Sequence, residues 1–328
     1  MVEFRKNSRY YTGRSFGHFI AVEIPKPGMA RISPPTLCAT KTEVNLAHIS
    51  SKDGSSLAAN PPAVVYLNRD SVAPQFATAF LHSILRDQSP DAFDLVVLMK
   101  GVCSNVNAIR TVCAQYGFAP RLIAVSDDLF DLSAYMAAAE LLPHENLLLF
   151  NSYARALSSN WFSCFCNGFA QLGSGALLGA TGSFETHGNV PPFPNAHVRT
   201  NAFMLSRELL LSFNDVPLLT KRDCNRFEAG QNGLTKRILR SGGQVGIIGR
   251  DGVVYRPDAW PQAQIFRSGA QENLLVADNR TQDYRTASIF RRRKLASLAW
   301  GSAEEVTGDN IITRLLSRRA WARGDQLL

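Results

Sequence analysis

The chain has 328 residues, 45% hydrophobic and 19% charged, and its 35 lysines and arginines against 27 acidic side chains leave a net charge of +8. That is a globular composition with enough chain for one large domain or two modest ones. No apolar run reaches the roughly 18 to 20 residues that a membrane span needs, and the N-terminal MVEFRKNSRYYTGRSFGHF lacks the apolar core of a secretory signal, so a cytoplasmic protein is expected.

Residues 1–60 carry Pro25, Pro27, Pro34, Pro35 and the polar run SSKDGSSLAAN, which reads as an irregular N-terminal arm. From Ala63 the pattern sharpens. AVVYL (63–67), LVVLM (95–99), RLIAV (121–125) and NLLLF (146–150) are short apolar runs, and between them Phe76, Ala79, Phe80 and Ile84, then Val106, Ile109, Cys113 and Tyr116, then Leu132, Tyr135, Met136 and Ala139 recur at helical spacing. Continuous apolar strands alternating with amphipathic helices predict an α/β fold with a mostly parallel central sheet covered on both faces. In such sheets ligands bind beyond the carboxyl ends of the strands, which gathers residues 68–70, 100–103, 126–128 and 151–153 around one crevice.

After Asn151 the alternation stops. A glycine- and proline-rich connection leads to a strand NAFML (201–205), a helix RELLLSF, a helix around GLTKRILRSGG and a strand QVGIIG, a mixed half that continues the same sheet and closes a core over 61–250. Residues 251–328 form a C-terminal extension in which Trp260, Phe266, Tyr284 and Trp300 stand among arginines. It ends in the basic, helix-like NIITRLLSRRAWARGDQLL.

Several chemistries lose most of their support because their motifs are missing. There is no G-x-x-x-x-G-K-[ST], the first strand is followed by NRDSVAPQF and not by G-x-G-x-x-G, and no G-x-S-x-G nucleophile elbow occurs. Cys164 and Cys166 form a C-x-C without a second pair at zinc spacing and read as free thiols. The basic excess crowds towards the C-terminus at Arg285, Arg291, Arg292, Arg293 and Lys294 and again from Arg314 to Arg323. It favours an anionic partner such as a phosphate or an acidic lipid, a solvated basic face being the competing reading. No nucleic-acid-binding module is present, so nucleic acid is not an expected partner.

The element order from Ala63, with NRD after the first strand, D-L-S-A-Y-M-A-A-A, the strand closing in FNSYA, then GSGALLGATGSFE, NAHVRTNAFMLSRELL and FEAGQNGLTKRILRSGGQVGIIGR, resembles GT-A-fold glycosyltransferases, in particular bacterial family 2 and rhamnan-synthesis-type enzymes, over about residues 63–250. The resemblance implies transfer of a sugar from a nucleotide-diphosphate donor to a surface or capsular glycan in polysaccharide biosynthesis. The acceptor would be a glycan or lipid-linked, at a site peripheral to the inner membrane; by its own composition the basic tail either lies on anionic lipid or packs on the domain. The alternative is a non-catalytic GT-A-like protein that binds a glycan or partner protein through the same crevice.

In that family the strand matched by NLLLF ends in Asp-x-Asp, whose carboxylates hold a manganese or magnesium ion against the diphosphate. Here the position reads Phe150, Asn151, Ser152, Tyr153, and no Asp-x-Asp occurs in the chain. The expectation is a donor contact through Asn151 and Ser152 with weak or absent metal binding, the competing reading being a plain strand-end turn. Asn68, Lys100, Asp127 and Asp128 would complete the donor side, Lys100 acting as a point charge that partly stands in for the metal. By position, Glu228 matches the acidic base that takes the acceptor proton, with a salt-bridged acid at a helix start as the competing account. His197 and Arg199, before a strand of the second half, would contact acceptor or diphosphate.

Overall fold

Burial on both faces is what the apolar strands require, and the fold supplies it by sorting their side chains by parity. The computed structural model describes residues 21–23, 61–186, 191–216, 218–301 and 321. Its first half consists of β1 (Ala21–Glu23), β2 (Ala63–Arg69), α1 (Gln75–Leu85), β3 (Asp94–Lys100), α2 (Val106–Gln115), β4 (Arg121–Val125), α3 (Asp131–Leu141) and β5 (Asn146–Phe150). Ala63, Val65 and Leu67 of β2 pack on one side with Leu132, Tyr135 and Met136 of α3. Val64 and Tyr66 pack on the other with Phe80 and Ile84 of α1 and Ile109 and Cys113 of α2. Every one of these side chains is buried, as strands covered on both faces demand.

The second half consists of β6 (Arg155–Ala156), α4 (Trp161–Leu172), β7 (Leu177–Gly179), β8 (Gly182–Ser183), β9 (His197–Val198), β10 (Ala202–Ser206), α5 (Arg207–Leu211), α6 (Lys221–Ala229), α7 (Leu234–Arg240), β11 (Val245–Ile248), β12 (Val254–Tyr255), β13 (Val276–Ala277), α8 (Asn279–Thr286) and α9 (Ile289–Trp300). Nine strands make one sheet in the order β1-β4-β3-β2-β5-β10-β7-β11-β12. Neighbouring β4, β3, β2 and β5 are parallel. Because β10 is antiparallel to both β5 and β7, and β7 is parallel to β11, those last two point the same way as β5. The sheet is therefore mostly parallel, with β1, β10 and β12 opposed.

Two features extend the expected plan. Residues 21–23, within the stretch read as an irregular arm, pair with β4 as an antiparallel edge strand; the rest of 1–60 lies outside the described residues, as does the basic tail apart from Trp321. Past residue 250 the same sheet continues into β12, β13 pairs with β6, and Trp260, Phe266 and Trp300 join the core beneath α3 and β10. Cys164 and Cys166 are free thiols on α4.

Candidate functional site

The chain runs from β2 outward to β3 and β4, then α3 carries it back across the sheet to β5 on the other side of β2. Helices α1 and α2 lie on one face and α3 on the other. The carboxyl ends of β2 and β5 are thus a topological switch point, the place where open α/β sheets bind their ligands.

Much of the predicted donor side is tied into the protein there. Asn68 is buried, and it exchanges a pair of side-chain amide bonds with Asn105 at the start of α2, at 2.9 and 3.1 Å. Ser152 is 1% exposed; its hydroxyl donates to the Leu67 carbonyl at 2.7 Å, and its own carbonyl accepts from the Tyr66 hydroxyl. It clamps the end of β5 to β2. Asn151 is half-buried, and its side-chain oxygen accepts from the Tyr153 amide at 3.0 Å, the local turn that asparagine side chains build. Asn68 and Ser152 are structural ties at these strand ends, while the Asn151 side-chain NH₂ has no hydrogen-bond acceptor among the described residues.

The positive charges stand further out. Lys100, at the end of β3, donates from Nζ to the Asp127 carboxylate at 2.8 Å and to the Asp127 carbonyl at 2.6 Å, leaving its third N–H for another acceptor. Asp128 is exposed beside it. Arg69, which sequence reasoning passed over inside NRD, pairs with Asp131 at 3.4 Å and lies 6.0 Å from the centre of the Tyr153 ring. Between them Gly101 has φ +81, and a Cβ there would lie 2.4 Å from the Asp70 carboxylate, which accepts from the Val102 amide. Glycine is what lets this turn close. Cys103 follows it, but burial first, with the field of Asp70, pushes its thiol up to about 11, so it is no thiolate nucleophile at neutral pH.

On the β10 side, the Asn151 amide donates to the Asn201 carbonyl at 2.9 Å, and the adjacent Thr200 amide donates to Glu228 Oε1 at 2.9 Å. The Glu228 carboxylate is thereby tied to Thr200, the residue before the one that bonds Asn151. Its helix differs from the expected one. Helix α6 starts at a Thr220/Asp223 capping box, and Glu228 is its penultimate residue, so the reading as a helix-start acid is corrected: at a helix C-terminus the dipole disfavours a carboxylate. Arg237 of the neighbouring α7 pairs with Asp215.

His197 is buried in β9, and its Nδ1 lies 2.8 Å from the Asn195 carbonyl, so Nδ1 carries the proton and Nε2 is bare. Burial pushes its pKa below the ordinary imidazole value against the opposing field of Glu228. Arg199 donates to Asp278 at 2.8 Å and to the Thr181 hydroxyl at 3.1 Å, and its guanidinium stacks 4.2 Å from the centre of the Phe266 ring. Arg267, 4.9 Å from that ring centre, pairs with Glu185. The structure brings His197, Arg199 and Glu228 into one charged cluster and adds Glu185, Arg267 and Asp278. Nothing local in the sequence marks those three, because their partners lie far away in the chain.

The residues at the Asp-x-Asp position do not make a ligand set for a divalent cation. Among the described residues no group of three His, Cys, Asp or Glu side chains could hold a metal. At the Asp-x-Asp position the Asn151 oxygen already accepts a backbone bond and the Ser152 hydroxyl is buried in another, leaving no anionic oxygen for a hard cation.

No family model matches the chain and no curated protein matches it. Solved structures similar to it include a 4-diphosphocytidyl-2C-methyl-D-erythritol synthase from Anaerococcus prevotii, with 9% identity, 60% of this chain and 90% of that one covered, and a TM-score of 0.40. The apo-form glycosyltransferase GlyE of Streptococcus pneumoniae has 14% identity over 56% of this chain and 44% of its own, with a TM-score of 0.38. Glucosyl-3-phosphoglycerate synthase from Mycobacterium tuberculosis, in complex with Mn2+, UDP and glucosyl-3-phosphoglycerate, has 15% identity over 46% of this chain and 58% of its own, with a TM-score of 0.32.

Proposed function

We propose that the protein is a glycosyltransferase that moves a sugar from a nucleotide-diphosphate donor to a surface or capsular glycan, free or lipid-linked. The observation that carries the reading is the Glu228 carboxylate, held by the amide of Thr200, the neighbour of the Asn201 that bonds Asn151, with Oε2 unpartnered among the described residues. A carboxylate fixed through one oxygen and open at the other is suited to take a proton from a hydroxyl. The donor diphosphate then lies over the ends of β2 and β3, where Arg69 and Lys100 meet its negative charge. The acceptor hydroxyl gives its proton to Glu228 as its oxygen bonds to the anomeric carbon; the bond from that carbon to the diphosphate breaks, and the nucleoside diphosphate leaves with the electron pair.

The internal bonds of Asn151 and Ser152 favour a second reading, a non-catalytic protein that binds a glycan in the same crevice. Melting curves with nucleoside diphosphates and nucleotide sugars separate the two, since a ligand bound only by the native state raises its apparent stability. A transferase is stabilised by at least one nucleotide sugar and by the matching nucleoside diphosphate. Stabilisation by oligosaccharides alone, with no response to any nucleotide at millimolar concentration, selects the second reading.

A further inference from the structure

Helix α9 is seated firmly on one side and, among the described residues, unpartnered on the other. Ala296, Ala299 and Trp300 are buried, the Trp300 indole N–H donates to the Phe266 carbonyl at 2.7 Å, and the buried Arg292 donates to the carbonyls of Tyr284 and Arg285. Its N-terminus is capped by Ser288. A helix held this way presents a fixed outer face.

That outer face has a composition that water alone does not explain. Phe290 is 79% exposed, far more than any other phenylalanine among the described residues, and Leu298 is 50% exposed. Arg291, Arg293 and Lys294 are exposed with them, and α9 contains no acidic residue. At about 100° per residue these five side chains fall within an arc of about 160°, with Phe290 flanked by Arg293 on one side and Lys294 on the other. Arg291 pairs with Asp283 of α8, but Arg293 and Lys294 have no acidic partner among the described residues. An exposed aromatic between unpaired cations, on a helix lying along the surface, complements an anionic lipid interface: the rings and alkyl stems enter the headgroup boundary while the cations meet phosphates.

We propose that the outer face of α9 docks the protein on an anionic membrane surface, with Phe290 as the inserted anchor and Arg293 and Lys294 as the phosphate contacts. The assignment stands apart from the transferase reading, because it rests on a face that carries none of the crevice residues. It also differs from the expectation that the C-terminal tail makes such a contact.

The test is co-sedimentation of the full chain with vesicles of phosphatidylcholine alone or mixed with phosphatidylglycerol, at low and at physiological ionic strength. The chain should bind the mixed vesicles, weakly or not at all the neutral ones, and less as salt rises. Each cation removed near such a surface weakens binding by about fivefold, so Arg293→Ser with Lys294→Ser should lower affinity by about 25-fold. Phe290→Ser should abolish the salt-resistant part, and all three substitutions are on the surface and should leave the melting temperature unchanged. Failure of the parent chain to bind mixed vesicles overturns the proposal, and so does binding that both variants retain in full. Retention on a single-stranded oligonucleotide but not on vesicles would reassign the face to nucleic acid and equally overturn it.

Discussion

Asp278 allows the energetics of the charged cluster to be worked out in advance. It is fully buried at the N-cap of α8, where Oδ1 accepts the amides of Arg280 at 3.0 Å and Thr281 at 2.8 Å while Oδ2 pairs with Arg199 at 2.8 Å. Asp278→Ala removes the cap, worth about 0.5–2 kcal/mol. It also leaves Arg199, whose side chain is only 12% exposed, without its carboxylate, and breaking a buried pair from one side costs about 3–5 kcal/mol. The two losses share one residue and are not strictly additive, so a destabilisation of about 4–6 kcal/mol is expected. Asp278→Asn keeps a good cap and a neutral acceptor for Arg199 and should cost only about 2–3 kcal/mol. Equilibrium urea denaturation with unchanged m-values measures both. A loss below about 1 kcal/mol for Asp278→Ala, or equal losses for the two variants, would refute the argument that a buried charge pair holds Arg199 in place.

Three other outcomes follow from the same structure. A Cβ at Gly168 would come within 2.9 Å of Val254 and 3.1 Å of both Ile248 and Leu178, so Gly168→Ala should destabilise by about 1–3 kcal/mol through overpacking between α4 and the sheet; an unchanged urea midpoint contradicts that close approach. Lys100→Ala should weaken nucleotide-sugar binding by about 10- to 100-fold, the value of a charge-assisted bond, while EDTA leaves the parent's binding unchanged; loss in EDTA restored by manganese would show a metal site that these residues do not supply. His197 has a folded pKa below that of the unfolded chain, so the unfolded state binds the extra proton first and stability falls as pH drops below about 6.5. Urea midpoints from neutral to mildly acid pH should decline more steeply for the parent than for His197→Gln, and identical slopes would remove His197 as the source.

Much of the parallel half was legible because its signal is local. The runs 63–67, 95–99, 121–125 and 146–150 became β2 to β5, and the helical spacings became α1 to α3, since buried strands and amphipathic helices write their burial into consecutive residues. Helix α4 was missed although Trp161, Cys164, Phe165, Phe169 and Leu172 make a helical stripe; Gly168 and the glycines after it look like a loop until the sheet packed against Gly168 is known. Helix α6 has only Cys224, Phe227 and Ala229 buried, and its one sequence signal was the Thr220-x-x-Asp223 cap. At the site, residue types were legible and their bonds were not. The tie from Ser152 to Leu67 spans 85 residues, that from Arg199 to Asp278 spans 79, and that from Arg267 to Glu185 spans 82. Only the fold, by setting β5 against β2 and the N-cap of α8 against the residue after β9, decides that Ser152 is a clamp and Arg199 an anchored guanidinium.

The most direct test of the proposed chemistry is the rate at which the parent and Glu228→Gln release nucleoside diphosphate from a labelled nucleotide sugar in the presence of a glycan acceptor. The substitution keeps the hydrogen bond to the Thr200 amide while removing nearly all basicity, and a general base contributes about 10²- to 10⁴-fold. The account predicts a fall of that size with donor binding and melting temperature close to the parent's. Undiminished transfer by Glu228→Gln would contradict it.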